Sequence, residues 1–259
     1  MDKNKGENIV NLFENKEKKR RVIDIHCHIL PGIDDGSRDI AESVEIVRQL
    51  VDQGVTDVIA TPHYVDGTAF ESPRSVNLKL LTELRQALID EGLKINVYLG
   101  NEIYISDNIA ELVKAGKMST MAGSKYLLVE FSLDEEFPNY SDYLQALMDH
   151  GFKVILAHPE RYAIVQKDYD VVRNLYEMGV LMQCNLGSIL GRYGKEAKKT
   201  IKKMIKDKII FAFGSDIHRP SRSSYIAEAQ KKLGKYYSEH ELRWLLVGNP
   251  GKIIAGERK

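Results

Sequence analysis

The sequence predicts a single α/β domain, built as a closed or nearly closed barrel of repeated βα units. Short runs rich in Val, Ile and Leu alternate about seven times with longer segments of helical period. The runs are apolar on both faces, which is typical of parallel strands covered on both sides. No Pro/Gly/Ser-rich linker separates the units, and 259 residues suit one large α/β domain. An open doubly wound sheet is the alternative, but no G-x-G-x-x-G or G-x-x-x-x-G-K-[ST] motif follows the first run.

Seven strand candidates share this two-sided apolar character. They are 22-VIDIH-26, 57-DVIATPH-63, 95-INVYLGNE-102, 126-YLLVEF-131, 153-KVILAH-158, 180-VLMQCNL-186 and 209-IIFAFGSD-216. Their spacing leaves room for one crossover helix or more between successive strands, as a parallel sheet requires.

Helical periodicity fills most of the intervals between these strands. The first two apolar stripes are Ile40, Val44, Val47 and Val51, and then Val76, Leu80, Leu84 and Leu88. The first helix ends at Gly54, and Pro73 opens the second. Ser106, Asp107 and Asn108 have N-cap chemistry for a third helix. Further helices are predicted at about 141–150, 168–178, 195–207, 223–234 and 238–247.

Charge and hydropathy exclude several classes of partner. Lys+Arg and Asp+Glu are both 37, so the formal net charge is zero and no global field attracts nucleic acid or anionic lipid. Apolar stretches such as 153-KVILA-157 and 209-IIFAF-213 are far shorter than the roughly 18 residues that span a bilayer. We therefore expect no nucleic-acid partner and no membrane insertion.

The N-terminal segment is expected to lie outside the folded domain. Residues 1–21 are rich in charge and lack the apolar core of a secretory signal, so we interpret them as a flexible extension and 22–259 as the domain. The two cysteines, Cys27 and Cys184, form neither a C-x-x-C motif nor a disulfide framework. A reducing cytoplasm is the simplest location.

Metal-ligating side chains gather at the predicted carboxyl ends of the strands. In chain order these ends read Asp24-Ile-His26-Cys-His28, Thr61-Pro-His63, Asn101-Glu102, Glu130, His158-Pro-Glu-Arg161 and Asp216-Ile-His218. Five of the seven histidines lie there. Because the carboxyl ends of parallel strands meet at one mouth of a barrel, we expect these side chains to converge.

Two of these strand ends each carry a pair of candidate ligands two residues apart, which we call a clamp. His26 and His28 are two residues apart on an extended strand, so both side chains point to the same face. Asp216 and His218 repeat this spacing on the last strand, which is adjacent to the first strand if the barrel closes. A lone His-x-His pair is weak evidence of a metal site, but the further imidazoles and carboxylates at matching positions make the joint pattern strong.

The number of candidate ligands indicates more than one ion. The candidates are His26, His28, Asp35, His63, Glu102, Glu130, His158, Asp216 and His218. At three or four protein ligands per ion, with positions left open for water and substrate, this set suits two or three divalent metals. Imidazole and carboxylate without thiolate favour Mn, Fe or Zn.

These motifs resemble those of the polymerase and histidinol phosphatase (PHP) metallohydrolases. The residues that carry the resemblance are 24-DIHCHILPGIDDG-36, 61-TPHY-64, 100-GNE-102, 129-VE-130, 158-HPERY-162 and 215-SDIH-218. The strings HILPGIDDG and HPERY are similar to those of the bacterial manganese-dependent tyrosine phosphatases that accompany capsule or exopolysaccharide tyrosine kinases. The resemblance implies a distorted TIM-like (β/α)7 barrel of the PHP type.

The resemblance also implies roles for individual residues. One ion would be held by His26, His28, Glu102 and Asp216, a second by Glu102, Glu130 and His158, and a third by Asp35, His63 and His218. Arg161 would contact the phosphate together with Arg222, or with Arg219 in its place, since the loop after His218 is shorter here. The catalytic acid that protonates the leaving group would be His218, His158 or Asp216.

The implied activity is hydrolysis of phosphotyrosine in a protein, with Mn²⁺ as the expected ion. The implied substrate is the tyrosine-rich tail of a bacterial kinase that regulates capsule or exopolysaccharide synthesis. Two alternatives stay open. One is a small-metabolite phosphatase of the histidinol-phosphate kind, or a phosphodiesterase, with the same ligands. The other is a metal-bound regulatory module without turnover.

Several nearby side chains have two interpretations. Cys27 points away from its histidine neighbours, and neither cysteine has the arginine of a C-x5-R motif, so packing is favoured over a thiol nucleophile. Asp24 either orients a ligand imidazole or closes the barrel floor. Asp34 and Asp35 form a turn in which the resemblance favours Asp35 as the ligand.

An aromatic rim and a basic helix complete the set of candidates. Four aromatic residues follow strand ends and are candidates to line a pocket for an aromatic ring, although amphipathic packing explains any one of them equally well: Tyr64, Tyr104, Phe137 and Tyr162.

The run 195-KEAKKTIKKMIKDK-208 carries an apolar stripe and is interpreted as the solvated face of a barrel helix rather than a nucleic-acid site.

Overall fold

Parallel strands form the inner wall of the molecule in a computed structural model that describes residues 21–106, 108–134, 139–222 and 225–256. The strands are β1 (Val22–Cys27), β2 (Val55–Ala60), β3 (His63–Tyr64), β4 (Asn96–Leu99), β5 (Glu102–Tyr104), β6 (Tyr126–Glu130), β7 (Lys153–Ala157), β8 (Leu181–Asn185) and β9 (Ile210–Gly214). They pair in the orders β1-β2-β4 and β3-β5-β6-β7-β8-β9. All seven predicted strands are confirmed.

Two of the predicted strands are interrupted. The run 57–63 is divided into β2 and β3 at Thr61-Pro62, and the run 95–102 is divided into β4 and β5 at Gly100-Asn101. Proline has no N–H to donate to a ladder, so an unbroken strand is disfavoured there. The backbone N–H of Glu102 still donates to the Pro62 carbonyl at 3.1 Å, so the two broken strands stay side by side.

The barrel is closed between its first and last strands at the carboxyl end only. The N–H of Asp216 donates to the His26 carbonyl at 2.8 Å, and the N–H of His28 donates to the Ile217 carbonyl at 3.0 Å. Asp24 reinforces this junction, because its Oδ1 accepts hydrogen bonds from the N–H groups of Ser215 (2.9 Å) and His26 (3.3 Å). The predicted α/β fold with parallel strands is therefore confirmed, and Asp24 reinforces the junction between its first and last strands.

Helices cover the outside of this wall. They are α1 (Ile40–Asp52), α2 (Arg74–Asp90), α3 (Ile109–Lys114), α4 (Tyr140–Asp149), α5 (Ala163–Lys167), α6 (Asp170–Glu177), α7 (Leu186–Leu190), α8 (Gly194–Asp207), α9 (Ile226–Leu233), α10 (Glu239–Arg243) and α11 (Asn249–Ala255). A π-helical turn, Trp244–Gly248, joins α10 to α11 and packs with α11 against both β1 and β9. Among the described residues, no helix has the length and apolarity needed to cross a membrane.

Two details of the helix predictions need correction. The predicted stripe of α2 is wrong at Val76, which is exposed, whereas Asn77 is buried. The Asn77 amide donates to the Ser72 carbonyl at 3.1 Å, so this polar side chain is satisfied where it is buried. Asn108 is the N-cap of α3, but its side chain donates to Asp66 at 2.9 Å and makes no capping bond. Asp107 lies outside the described residues, as do residues 1–20 of the predicted extension.

The strand wall of the barrel is tightly packed around Gly214, at the mouth. A Cβ added to Gly214 would lie 2.6 Å from the His26 Cβ and 2.9 Å from Gln183 Nε2. We expect Gly214→Ala to lower the free energy of unfolding by about 1–3 kcal/mol through overpacking, measured by urea denaturation. The control is Gly251→Ala in α11, where the nearest atom is 4.0 Å away and alanine should be neutral or stabilising. Equal effects of the two substitutions would contradict this packing argument.

Candidate metal centre

The end of β1 places two imidazoles side by side. His26 and His28 are completely buried, and their Nε2 atoms are 3.2 Å apart. Because side chains alternate along a strand, the Cys27 thiol points to the opposite side, where its Sγ lies 3.7 Å from the Ile217 carbonyl. Burial raises the pKa of this thiol well above its ordinary value, which supports packing rather than nucleophilic chemistry.

Two carboxylates complete what we call the deep group, His26, His28, Glu102 and Asp216. Glu102 Oε2 lies 3.1 Å from His26 Nε2 and 3.2 Å from His28 Nε2. Asp216 Oδ1 lies 3.5 Å and 3.6 Å from the same two atoms. Candidate ligand atoms of all four residues lie within 4.8 Å of one another, and all four residues are buried. This is the set that the sequence assigned to the first ion.

A second cluster lies nearer to solvent. We call it the outer group: Asp35, His63 and His218, with His28 at its inner edge. Asp35 Oδ1 is 3.3 Å from the Nε2 atoms of both His63 and His218. The rings of His28 and His218 stack with their centroids 3.9 Å apart, so the outer and deep groups are contiguous. Asp35, rather than Asp34, is the member of this group, in agreement with the sequence prediction.

The third cluster, the side group, consists of His63, Glu102 and Glu130. His63 Nδ1 lies 2.9 Å from Glu130 Oε1 and 3.2 Å from Glu102 Oε2. His158 approaches the same carboxylates, with its Nε2 atom 2.8 Å from Glu102 Oε1 and 3.8 Å from Glu130 Oε2. The arrangement thus brings the expected Glu102, Glu130 and His158 together and adds His63, whose two ring nitrogens face different groups.

The donors of these groups fit divalent cations. Glu102 Oε2 and His63 Nδ1 are buried and lie 2.9–3.2 Å from oppositely charged groups, yet neither makes a well-directed hydrogen bond within the described part of the chain. Buried polar atoms are ordinarily satisfied, so an orphaned carboxylate oxygen among imidazole nitrogens indicates a place for a cation. The donor set is imidazole and carboxylate without thiolate, which suits Mn, Fe or Zn.

The electrostatics of the cluster keep its carboxylates ionised. Burial raises the pKa of Glu102, but the imidazoles of His26 and His63 outweigh burial and hold it well below its usual range. Burial lowers the pKa of His28, yet the Asp34 carboxylate raises it to about 10. Burial likewise opposes protonation of His63, but Glu102 and Asp35 raise its pKa to about 12. Without a cation, these imidazoles therefore bind protons, which a metal ion would displace.

Two ligand imidazoles are oriented by residues that sequence reasoning missed. His28 Nδ1 lies 2.8 Å from Asp34 Oδ2, and His26 Nδ1 lies 2.9 Å from Gln183 Oε1. Such partners fix the tautomer and the ring orientation of a ligand. A signal for Gln183 exists in the sequence, because Gln183 and Asn185 are polar residues two apart on an otherwise apolar strand.

Arg161 lies at the site, on the far side of Asp216. Its Nη1 donates to Asp216 Oδ2 at 2.6 Å, and Asn185 Nδ2 donates to the same oxygen at 2.7 Å. The guanidinium also lies 4.4 Å above the Tyr193 ring. Two of the clustered residues, His158 and Asp216, have left-handed backbone angles, with φ of 35° and 54°. Strained angles of this kind are common where a side chain must be aimed at a functional site.

The other two candidate arginines, Arg219 and Arg222, lie on the segment that follows His218. Arg219 Nη1 donates to the Gly36 carbonyl at 2.6 Å and lies 3.2 Å from Glu42 Oε2, so this guanidinium anchors the loop that carries Asp35. Arg222 ends a 3-10 turn, Pro220–Arg222, and its side chain lies outside the described atoms.

The predicted aromatic rim is wrong for two of its four members. Tyr64 and Tyr162 are each 1% exposed and belong to the core. The Tyr162 hydroxyl donates to the Ala157 carbonyl at 2.9 Å, which ties it to the interior. Tyr104 is half-buried, and Phe137 lies outside the described residues.

Phe70 is an exposed aromatic side chain that borders the site. Its ring is 37% exposed and stacks on His63 at a centroid distance of 5.9 Å. The loop that carries it is well ordered by hydrogen bonds, since Val65 N–H donates to the Phe70 carbonyl and Phe70 N–H donates to Thr68 Oγ1, both at 3.1 Å. Its sequence signal is a single large apolar residue within the turn 65-VDGTAFES-72.

Comparisons with known proteins agree with this geometry. The chain is 33% identical over 238 residues to "Tyrosine-protein phosphatase YwqE" of Bacillus subtilis, covering 91% of this chain and 92% of that protein. It is 34% identical over 224 residues to "Putative tyrosine-protein phosphatase CapC" of Staphylococcus aureus, covering 85% and 87%.

Solved structures show the same relationship. One from a study of YwqE from Bacillus subtilis and CpsB from Streptococcus pneumoniae, described as unique metal-dependent tyrosine phosphatases, superposes with a TM-score of 0.84 at 30% identity, over 91% of this chain and 95% of that one. A histidinol phosphate phosphatase from Lactococcus lactis, at 14% identity and a TM-score of 0.54 over 83% and 92% of the two chains, shares the fold.

The family model described as "Capsular polysaccharide synthesis, CpsB/CapC" matches residues 22–255, nearly the whole chain. The chain therefore belongs to the CpsB/CapC family.

Proposed function

We propose that this protein hydrolyses phosphotyrosine in proteins with the help of divalent metal ions. The observation that carries the proposal is the convergence of three ligand groups at one mouth of the barrel, joined through Glu102, His28 and His63. The names of the family's relatives support the substrate class. The decisive experiment compares turnover of phosphotyrosine peptides, phosphoserine peptides and histidinol phosphate by the purified protein with defined metals.

We propose His26, His28, Asp35, His63, Glu102, Glu130, His158, Asp216 and His218 as the ligands of two or three ions, with Mn²⁺ as the native metal. The mixed imidazole and carboxylate donors suit Mn, Fe or Zn, and the resemblance to manganese-dependent phosphatases favours Mn²⁺ among them. When bound, the ions supply Lewis-acid stabilisation of the phosphoryl oxygens and an activated water. Glu102 contributes to two of the three groups, so it would hold two neighbouring ions.

The chain's own residues would position and stabilise the phosphate. A guanidinium has five N–H donors, so Arg161 can hold Asp216 with one of them and bind a phosphoryl oxygen with another. Arg222 is proposed as a second phosphate contact. Of the three candidate acids, Asp216 is the least suited, because His26 and His218 outweigh burial and lower its pKa, so its carboxylate carries no proton to give at neutral pH. His158 and His218 remain, and a phenolate leaving group needs little protonation.

We further propose that the physiological substrate is a bacterial tyrosine kinase that regulates capsule or exopolysaccharide synthesis, in the cytoplasm. The family match supports this assignment. The match begins at residue 22, which also supports residues 1–21 as an extension outside the catalytic domain.

Metal removal should abolish activity reversibly. Chelation by EDTA followed by dialysis is expected to eliminate turnover of a phosphotyrosine peptide, because open sites of mixed imidazole and carboxylate ligands hold exchangeable hard or borderline ions. Mn²⁺ should restore turnover best among Mn²⁺, Zn²⁺, Mg²⁺ and Ca²⁺, as the resemblance to manganese-dependent phosphatases implies. Elemental analysis of each sample accompanies the rate measurement. Full turnover by protein that contains no metal would refute the proposal.

Substitutions of the adjacent β1 residues His26 and Cys27 should differ sharply in their effect on kcat. His26→Ala removes a ligand of the deep group and should lower kcat by about 10³-fold or more. Cys27→Ser changes a thiol on the opposite face and should leave kcat nearly unchanged. The comparison uses steady-state kinetics with circular dichroism as a check on folding. An inactive Cys27→Ser protein that keeps its metal would revive a thiol mechanism.

Gln183 should tune metal affinity without being a ligand. Gln183→Leu removes the partner of His26 Nδ1, and we expect metal affinity to fall about 10–100-fold. Competition with a fluorescent chelator measures the affinity, and activity should recover at higher Mn²⁺ concentration. The matched control is Gln86→Leu on the exposed face of α2. Unchanged affinity in Gln183→Leu would show that this contact does not orient the ligand.

Phe70 should favour aromatic esters. If its exposed ring contacts the tyrosyl ring of the substrate, Phe70→Ala should lower kcat/KM for phosphotyrosine peptides about fivefold, the value of one aromatic contact. Turnover of phosphoserine peptides should change much less. Tyr176→Ala, at another exposed aromatic side chain, is the control. An equal loss for both esters would place Phe70 in a purely structural role.

A further inference from the structure

One face of α8 carries six lysines at a helical spacing. Lys195, Lys198, Lys199, Lys202, Lys203 and Lys206 line one surface groove, which we call the lysine face. The opposite face of α8 packs into the core through Ile201, Met204 and Ile205. The lysines therefore lie on the side of the helix that points away from the barrel.

Few acidic groups neutralise this face. Within the described part of the chain, Lys199 is the only one of the six in an ion pair, with Glu196 at 3.7 Å. Asp207, at the end of α8, forms an ion pair with Arg173, with Nη2 of the arginine 3.0 Å from Oδ2 of the aspartate. Like charges at this density repel one another, so the face attracts a polyanion although the whole chain has a net charge of zero.

The lysine face begins beside the metal centre. α8 follows directly after Tyr193, whose ring lies 4.4 Å below the Arg161 guanidinium, and Arg161 binds Asp216. The first turn of the helix is also tied to the end of α7, because Lys198 Nζ donates to the Leu190 carbonyl at 3.4 Å. Lys195 and Lys198 are thus near the mouth, and Lys206 lies toward the opposite end of the barrel.

We propose that the lysine face binds an acidic stretch of the phosphoprotein substrate, next in sequence to the phosphotyrosine that enters the metal centre. This inference rests on the proposed phosphatase function and adds a determinant of substrate choice. The 14 residues of α8 extend about 21 Å, and an extended peptide covers that distance with about six residues. An acidic stretch that covers the whole lysine face is therefore about six residues long.

A peptide fits the observations better than a membrane surface. Helices that bind lipid combine basic residues with apolar side chains that enter the bilayer. The exposed large hydrophobic residues of the described chain lie elsewhere, and none belongs to α8. Recognition by charge alone suits an acidic peptide in water and predicts a strong dependence on salt.

The test compares matched phosphotyrosine peptides that differ only in flanking Glu or Gln residues. The wild-type protein should prefer the Glu peptide about tenfold in kcat/KM at low salt, mainly through KM, and lose the preference at high salt. The variant Lys195→Gln/Lys202→Gln/Lys206→Gln should lose this preference and keep its turnover of p-nitrophenyl phosphate. The control Lys79→Gln/Lys94→Gln/Lys231→Gln removes the same charge from other exposed sites and should behave as wild type.

Direct binding separates this inference from the proposed function. Fluorescence anisotropy with an unphosphorylated Glu-rich peptide should show about tenfold weaker binding to the α8 variant than to the control variant, whether or not the protein hydrolyses phosphotyrosine. Equal binding by both variants, or no preference for the Glu peptide in the wild type, would overturn the proposal. Loss of binding to phosphatidylserine vesicles by the α8 variant, with peptide binding unchanged, would overturn it in favour of a membrane surface.

Discussion

The junction between the first and last strands is the constraint on which the site depends. Two backbone hydrogen bonds, from Asp216 to His26 and from His28 to Ile217, hold the carboxyl ends of β1 and β9 together. They bring one clamp, His26 and His28, opposite the other, Asp216 and His218. Asp24 receives N–H donors from both strands and secures the same junction from below. Without this closure, the ligands of the deep group would belong to separate edges of an open sheet.

The junction between β1 and β9 buries the Glu102 carboxylate, and a bound cation would offset the cost of burying it. Glu102 is fully buried, and four imidazoles, those of His26, His28, His63 and His158, lie within 3.2 Å of its carboxylate. Removing a carboxylate from water costs several kcal/mol unless it is paired and hydrogen-bonded. A bound metal ion would offset this cost, so metal binding and the stability of the barrel mouth are linked. The lysine face adds positive charge on the surface next to the barrel mouth.

Most of the fold and the ligand set could be predicted from residue patterns. Alternating apolar strands and helices define the barrel, and the rule that parallel strands end at one mouth predicts that the candidate ligands converge there. The same alternation predicts that Tyr64, next to His63 on β3, faces the core, as Cys27 does next to His26 on β1.

Other residues could not be located in this way. Tyr162 follows a 3-10 turn that reverses the chain after β7, and sequence periodicity does not reveal such a reversal. Gln183 contacts His26, which is 157 residues away along the chain, and this pairing depends on how the barrel closes. Asp34 and Phe70 contact the nearby His28 and His63 through irregular loops, whose shape strand and helix periodicity does not describe.

Anomalous X-ray scattering at the manganese edge is the most direct measurement of the central claim, that the barrel mouth is a multinuclear metal centre. Crystals grown with Mn²⁺ and inorganic phosphate should show two or three anomalous peaks, bounded by the deep, outer and side groups, with Glu102 beside two of them and phosphate between them and Arg161. Crystals of metal-saturated protein with no anomalous peak at the mouth, or with peaks only at other surface carboxylates, would contradict the account.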